Sequence, residues 1–343
     1  MDSATHEPGG VNLKTAVDRG EAPSLMSPIP NTTPHRIDVG PAVLSATSPH
    51  GLISPRFGSQ FGRLPTLSHD LTQPGQAHLR CHQVAGQSAV TTAFATSPLK
   101  LLTPRPRGKS VWACLASFGG GLLAGDETSL DIELGHDARC FLGTQASTKI
   151  YRNPARRPCS FRLRANVNED AILVLAPDAV QCFAGSSFNQ RQEILLHPSA
   201  GLVLLDWCSS GRVARGERWA FNRYSSRIEI SDPTPKRLFL DSLVLDPEHG
   251  AVDSPMRLGR FNCMALLLFL GPALRAHAQA LLREFNDRPV ARRNALVFSA
   301  SRIRDGALLR VAGESFEHVA REIRACLAFL PELLGDDPFE RKW

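Results

Sequence analysis

From Ala77 to Asp246 the chain alternates apolar and polar positions in short runs broken by Gly, Pro and Asx turns. Leu130, Ile132 and Leu134 alternate with Asp131 and Glu133, and Phe161, Leu163, Ala165 and Val167 with Arg162, Arg164 and Asn166. Ile228 and Ile230 alternate with Arg227 and Glu229. A period of two predicts strands with one face on a core and the other in water. No helical period occurs before about residue 262. Beyond it two helices are predicted. The first opens at Pro272, whose missing N–H costs nothing at a first helical position, and carries the stripe Leu274, Ala278, Leu281, Leu282 and Phe285. The second follows Ser315 as N-cap, with Glu317 in its first turn and the stripe Phe316, Val319, Ile323, Cys326, Leu327 and Leu330.

Inside the strand region a polar turn followed by Ala and a short apolar run occurs three times. The turns are Gly135-His136-Asp137 before Ala138, Asn168-Glu169-Asp170 before Ala171, and His197-Pro198-Ser199 before Ala200. Six residues after each alanine stand Thr144, Pro177 and Asp206. Two architectures accommodate this: stacked strand–turn–strand units in a coiled β arrangement, or ordinary hairpins in a sandwich. Stacking in register would bring Gly143 to Gln145, Ala176 to Asp178 and Leu205 to Trp207 to one edge.

Residues 1–75 hold ten of the 25 prolines and no amphipathic period, which predicts a flexible extension preceding a β-rich domain over 76–343. With 43% hydrophobic and 21% charged residues the chain has an ordinary globular composition. Its longest apolar run, Met264–Leu274, is interrupted by Gly271-Pro272 and is too short for a bilayer. The eight cysteines show no CxxC spacing, so reduced thiols and a cytoplasmic location are expected. The net charge of +6 is scattered, apart from Arg152, Arg156 and Arg157. That pattern points away from nucleic acid and fits an acidic protein partner.

The glycine-rich stretch Ser117–Asp126 lacks the Lys and Ser/Thr of a phosphate-binding loop and ends in a carboxylate, so a tight turn is expected. No GxSxG or HExxH occurs, and His136 and Cys140 read as a surface histidine and a core thiol. Carboxylates at loop positions are more suggestive: Asp126 after a glycine turn, Asp178 after Pro177, and Glu217 in Arg215-Gly-Glu-Arg-Trp219. On stacked loops they would form a polar passage for a divalent cation, since carboxylates and water give weak, exchangeable coordination.

Ser97-Pro-Leu-Lys-Leu-Leu102, Gly119-Gly-Gly-Leu-Leu-Ala-Gly-Asp126, Thr144-Gln-Ala-Ser-Thr-Lys-Ile-Tyr151, Pro177-Asp178, Phe183-Ala-Gly-Ser-Ser187, Trp207 through Gly211-Arg212 to Trp219, and Asp337–Trp343 form an ordered series. It resembles the urease accessory protein D family over residues 77 to 343. The resemblance implies a mainly β, helically coiled fold with a pair of helices near the C-terminus. It implies a non-enzymatic metallochaperone scaffold bound to the accessory F protein, the accessory GTPase G and apo-urease, with a dimer inside that complex. It also implies transient passage of Ni²⁺, for which Asp126, Asp178, Glu217 and Thr144 are the positions carried over. No organic cofactor is expected. Two alternatives remain at this stage: a β-helix hydrolase using Asp126, Asp178 and Glu217 as an acid–base set, and a purely structural adaptor.

Overall fold

A computed structural model describes residues 73–340 except 106, 156, 235, 290 and 292. These residues all lie in the second of two units, Ser59–Trp343. The expectation of a flexible extension over residues 1–75 falls almost entirely outside them.

Two large sheets face each other. The first runs in the order β15 (Arg237–Leu245), β14 (Arg223–Ser231), β12 (Ser187–Leu196), β9 (Cys159–Val167), β6 (Glu127–Leu134), β1 (Gln76–Val84), β2 (Gln87–Ala95). The second runs β17 (Leu296–Ile303), β18 (Gly306–Gly313), β16 (Cys263–Leu270), β13 (Gly201–Ser209), β10 (Ile172–Leu175), β7 (Arg139–Thr144), β4 (Val111–Ser117), β3 (Leu99–Leu102). A side ladder of β5 (Gly121–Leu122), β8 (Lys149–Ile150) and β11 (Val180–Cys182) joins the second sheet at β13.

The threefold repeat is a true stack. Strands β6, β9 and β12 pair in parallel in one sheet, and β7, β10 and β13 do so in the other. Each polar turn therefore carries the chain from the first sheet to the second, and the coil then returns. The turns bond to one another: the Ile172 N–H donates to Ala138 O and the Gly201 N–H to Ala171 O, both within 2.9 Å. The stacked reading holds over the hairpin reading because neighbouring repeats, not adjacent strands, supply the ladder partners.

Period-two side-chain alternation explains the core. Leu79, Ile132, Ala165, Ile194 and Ile230 stand side by side across the first sheet. Leu142, Leu175, Leu204, Leu268 and Leu308 do so across the second. Both rows point into one inter-sheet core. The neighbouring row Phe141, Val174, Val203, Phe269 and Ala307 faces the other way, into a second core. That core is closed by α1 (Arg275–Asn286), α2 (Phe316–Cys326) and α3 (Leu330–Leu334). Full burial of each such leucine stabilises the fold by about 2 kcal/mol.

Pro272 opens a 3-10 turn that runs straight into α1. Ser315 caps α2, its Oγ accepting from the His318 N–H. The second predicted helix ends at Cys326; of its stripe, Leu327 lies in the turn that follows and Leu330 opens α3. Pro331, the second residue of α3, has no N–H to give the Leu327 carbonyl and so suits the start of a new helix rather than the continuation of α2. All eight cysteines are free thiols. His136 is exposed and Cys140 buried. No helix among the described residues is long and apolar enough to cross a membrane.

Candidate functional site

The β10 ladders end at Leu142, Leu175 and Leu204, and two residues further along each chain segment stand Thr144, Pro177 and Asp206. All three line the space between the sheets, and Thr144 and Asp206 make its wall polar. Across the gap the first sheet contributes Gln190, Gln192 and Ser226, inward by the same alternation that buries Ile194 and Ile228. Thr144, Asp178, Asp206, Gln190 and Gln192 line a cavity of about 70 Å³ at this end of the inter-sheet core. Most of its remaining wall is apolar. It has room for a few waters, and its oxygens and amides can hold them.

Two groups of hydrogen bonds fix its polar wall. The Asp178 N–H donates to Thr144 Oγ1 at 2.7 Å, and that hydroxyl donates back to Asp178 Oδ2 at 3.0 Å. Deeper in, Ser226 Oγ donates to Asp206 Oδ2 at 2.6 Å and Gln190 Nε2 to Asp206 Oδ1 at 2.7 Å. Burial pushes the Asp206 carboxyl up from its ordinary value, while the bonds from Ser226 and Gln190 pull the other way. Asp206 is half-buried and lines the cavity. Trp207, next in the strand, points to the opposite face. Its Nε1–H donates to Pro177 O at 2.8 Å and its ring stacks on Phe316 at 5.1 Å, which pins the Pro177-Asp178 loop.

Asp126 and Glu217 do not line this cavity. Asp126 closes the glycine turn, its Oδ2 accepting from the Leu123 N–H at 2.8 Å. Glu217 holds Arg212 through both carboxylate oxygens, with Arg212 Nε at 2.9 Å from Oε2, and also accepts from the Ala184 N–H. The Arg212 guanidinium keeps the Glu217 carboxyl below its usual range, and burial opposes this. A carboxylate neutralised by a bidentate arginine is poorly suited to receive a cation. Of the four positions carried over, the structure brings Thr144 and Asp178 together and leaves Asp126 and Glu217 on neighbouring loops. An acid–base set built from Asp126, Asp178 and Glu217 would need them around one cavity, and only Asp178 lines this one. Among the described residues no three His, Cys, Asp or Glu side chains are grouped to hold a metal ion.

The glycine-rich stretch is the expected tight turn. Gly119, Gly120 and Gly125 have φ of 73°, 72° and 85°, and a Cβ on Gly121 would lie 2.4 Å from Lys149 O. Sequence reasoning placed Asp206 on the loop edge without counting it as a site residue, and passed over Gln190, Gln192 and Ser226. The available signal was parity: counting back by twos from Ile194 and Ile228 puts all three amide and hydroxyl groups inside.

The family model described as UreD urease accessory protein matches residues 73–343. A urease accessory protein UreD of Sorangium cellulosum (strain So ce56) is 49% identical over 272 residues, covering 78% of this chain and 84% of the relative. One from Anaeromyxobacter sp. (strain Fw109-5) is 42% identical, covering 78% and 89%. The urease accessory protein D of Oryza sativa subsp. indica is 31% identical, covering 76% and 94%. The coil of parallel strands, the ordered loops and these likenesses agree, and the chain belongs to the UreD urease accessory protein family.

Proposed function

We propose that this chain is a non-catalytic scaffold of urease maturation that works in the cytoplasm. It joins the helical accessory F protein and the accessory GTPase G to apo-urease and lets Ni²⁺ pass through its interior. The observation that carries the reading is the polar wall of the inter-sheet cavity, where Asp178 and Asp206 present carboxylate oxygens beside Thr144, Gln190 and Gln192. Two carboxylates with hydroxyl, amide and water oxygens hold a divalent ion weakly, and an ion in transit must be released. Soft thiolates would bind more firmly, but the nearby thiols are held in their protonated form. Burial pushes Cys159 up to about 12 and Cys208 well above its ordinary value.

We assign the passage to Thr144, Asp178 and Asp206. Asp126 and Glu217 serve it indirectly, by shaping the loops that wall the coil. The class of function is tested by capturing the full chain from cell extract and identifying what comes with it by mass. Recovery of urease with a GTPase is expected. Recovery of neither from cells that express both would overturn the scaffold reading.

A further inference from the structure

We propose that the loop corner around the glycine-rich turn is a docking surface for an acidic protein face, and, resting on the function proposed above, that this face belongs to apo-urease.

The corner is built from four successive returns of the coil and is braced from loop to loop. Tyr151 Oη donates to Gly119 O at 2.9 Å, and the Tyr151 ring meets Phe183 edge-on at 5.4 Å. Arg212 then lies 4.1 Å over the Phe183 ring and is locked by Glu217. On this rigid frame Phe118 and Leu123, at the two ends of the glycine turn, are 59% and 60% exposed, and Val213 is 51% exposed. Of the seven large hydrophobic side chains exposed among the described residues, three stand here. Apolar side chains held out on rigid loops mark a surface that a partner covers.

Cationic side chains stand out beside Phe118 and Leu123, while Val213 shares a depression with Glu314 and Glu317. Arg152 and Arg157 are exposed and make no ion pair among the described residues, while the exposed Arg215 interacts electrostatically with Glu217. On the outer face of the first sheet, by contrast, Arg80, Arg162, Arg164 and Arg227 pair with Glu133, Glu193, Asp131 and Glu229. The corner arginines are laid down by packing. A Cβ on Gly125 would lie 3.1 Å from the Arg157 guanidinium carbon, and one on Gly185 3.6 Å from Arg152 Cγ. The carboxylates of the same loops are turned to internal use: Asp126 on Leu123, Asp178 on Thr144, Glu217 on Arg212. Arg152 and Arg157 remain outward beside the apolar tips, with Glu127 at the start of β6 the exposed carboxylate next to the turn. An acidic face with apolar recesses complements these arginines and tips, whereas a second copy would set arginine against arginine. Nucleic acid would use the charge and leave Phe118 and Leu123 without a partner.

The test measures binding of the full chain to immobilised apo-urease from the same organism, using wild type, Arg152→Glu/Arg157→Glu and Phe118→Ser/Leu123→Ser. Circular dichroism and Tm first establish that each variant is folded. Charge reversal is expected to weaken Kd about tenfold or more and to abolish the salt dependence of binding. The serine pair is expected to weaken Kd with the salt dependence kept. Both corner variants binding like wild type would overturn the docking surface alone. Wild type failing to bind apo-urease would overturn it together with the proposed function. Retention on phosphatidylglycerol vesicles, or self-association, that is lost on charge reversal while urease binding is unchanged would assign the corner to a membrane or to a second copy instead.

Discussion

Thr144 and Asp178 clasp each other across the coil: the Asp178 N–H donates to the threonine hydroxyl, and that hydroxyl donates to the aspartate carboxylate. They lie 34 residues apart in sequence. Their meeting is a consequence of the register that stacks β7 on β10. One hydroxyl thus serves the fold and aims a carboxylate into the cavity.

Thr144→Val keeps the shape and removes both bonds, leaving the partly buried Asp178 N–H without its acceptor. A loss of about 1–2 kcal/mol in unfolding free energy is expected by urea titration. The same substitution is expected to lower nickel delivery, because Asp178 is no longer held. Unchanged stability would mean that the clasp contributes nothing net.

Glu217 and Arg212 make a pH-dependent contribution. The Glu217 carboxyl is depressed in the folded state, first by its hydrogen bonds with Arg212. The folded protein therefore holds the carboxylate more readily than the unfolded chain does. The resulting stabilisation is present above the unfolded carboxylate value, about 4.3, and is lost as pH falls through the lower folded value. Glu217→Gln is expected to lower Tm at pH 7, by an amount equivalent to about 1 kcal/mol. The gap should close as the solution is acidified below that range. A gap independent of pH would contradict the pairing.

Asp206 has the opposite sign. Burial raises its folded value, so its contribution is fully present below the unfolded carboxylate value of about 3.9 and declines as pH rises through the folded one. Asp206→Asn, which retains an acceptor for Gln190, is expected to remove that decline. Thermal melts across the acid range should show a flatter profile for the variant than for wild type.

The glycine turn separates two causes. Gly119 has positive φ and open space around its missing side chain, so Gly119→Ala is expected to cost about 1–2 kcal/mol. Gly121→Ala drives a Cβ to 2.4 Å from Lys149 O and 2.7 Å from Tyr151. Overpacking against backbone is expected to cost about 3 kcal/mol. Denaturant midpoints in the reverse order would show that conformation, not space, selects the glycines here.

The fold was legible where a local rule determines the global one. Leu130, Ile132 and Leu134 alternate in sequence and are buried as that alternation requires. The three alanine-led turns, 33 and 29 residues apart, stack in the order their spacing implies. The end of α2 at Cys326 was missed because the apolar stripe runs on to Leu327 and Leu330, which are buried whether or not the helix continues. The site was legible only in part. Carboxylates at loop positions can be read off, but not which side of the loop they face. Glu217 is spent on an arginine five residues away because the turn at Gly216, with φ of 75°, folds the segment back on itself. Asp206 and Gln190 come from different sheets, and only the facing of the two sheets joins them.

The proposed passage of Ni²⁺ past Asp178 and Asp206 is tested most directly by urease activation in a reconstituted mixture of apo-urease, the accessory proteins and limiting nickel. Wild type, Asp178→Ala and Asp178→Ala/Asp206→Asn would be compared after size-exclusion chromatography establishes complex formation. Severalfold slower activation is expected for the single variant and slower still for the double one, with the complexes intact. Activation by the double variant at the wild-type rate across the whole nickel range would contradict the passage.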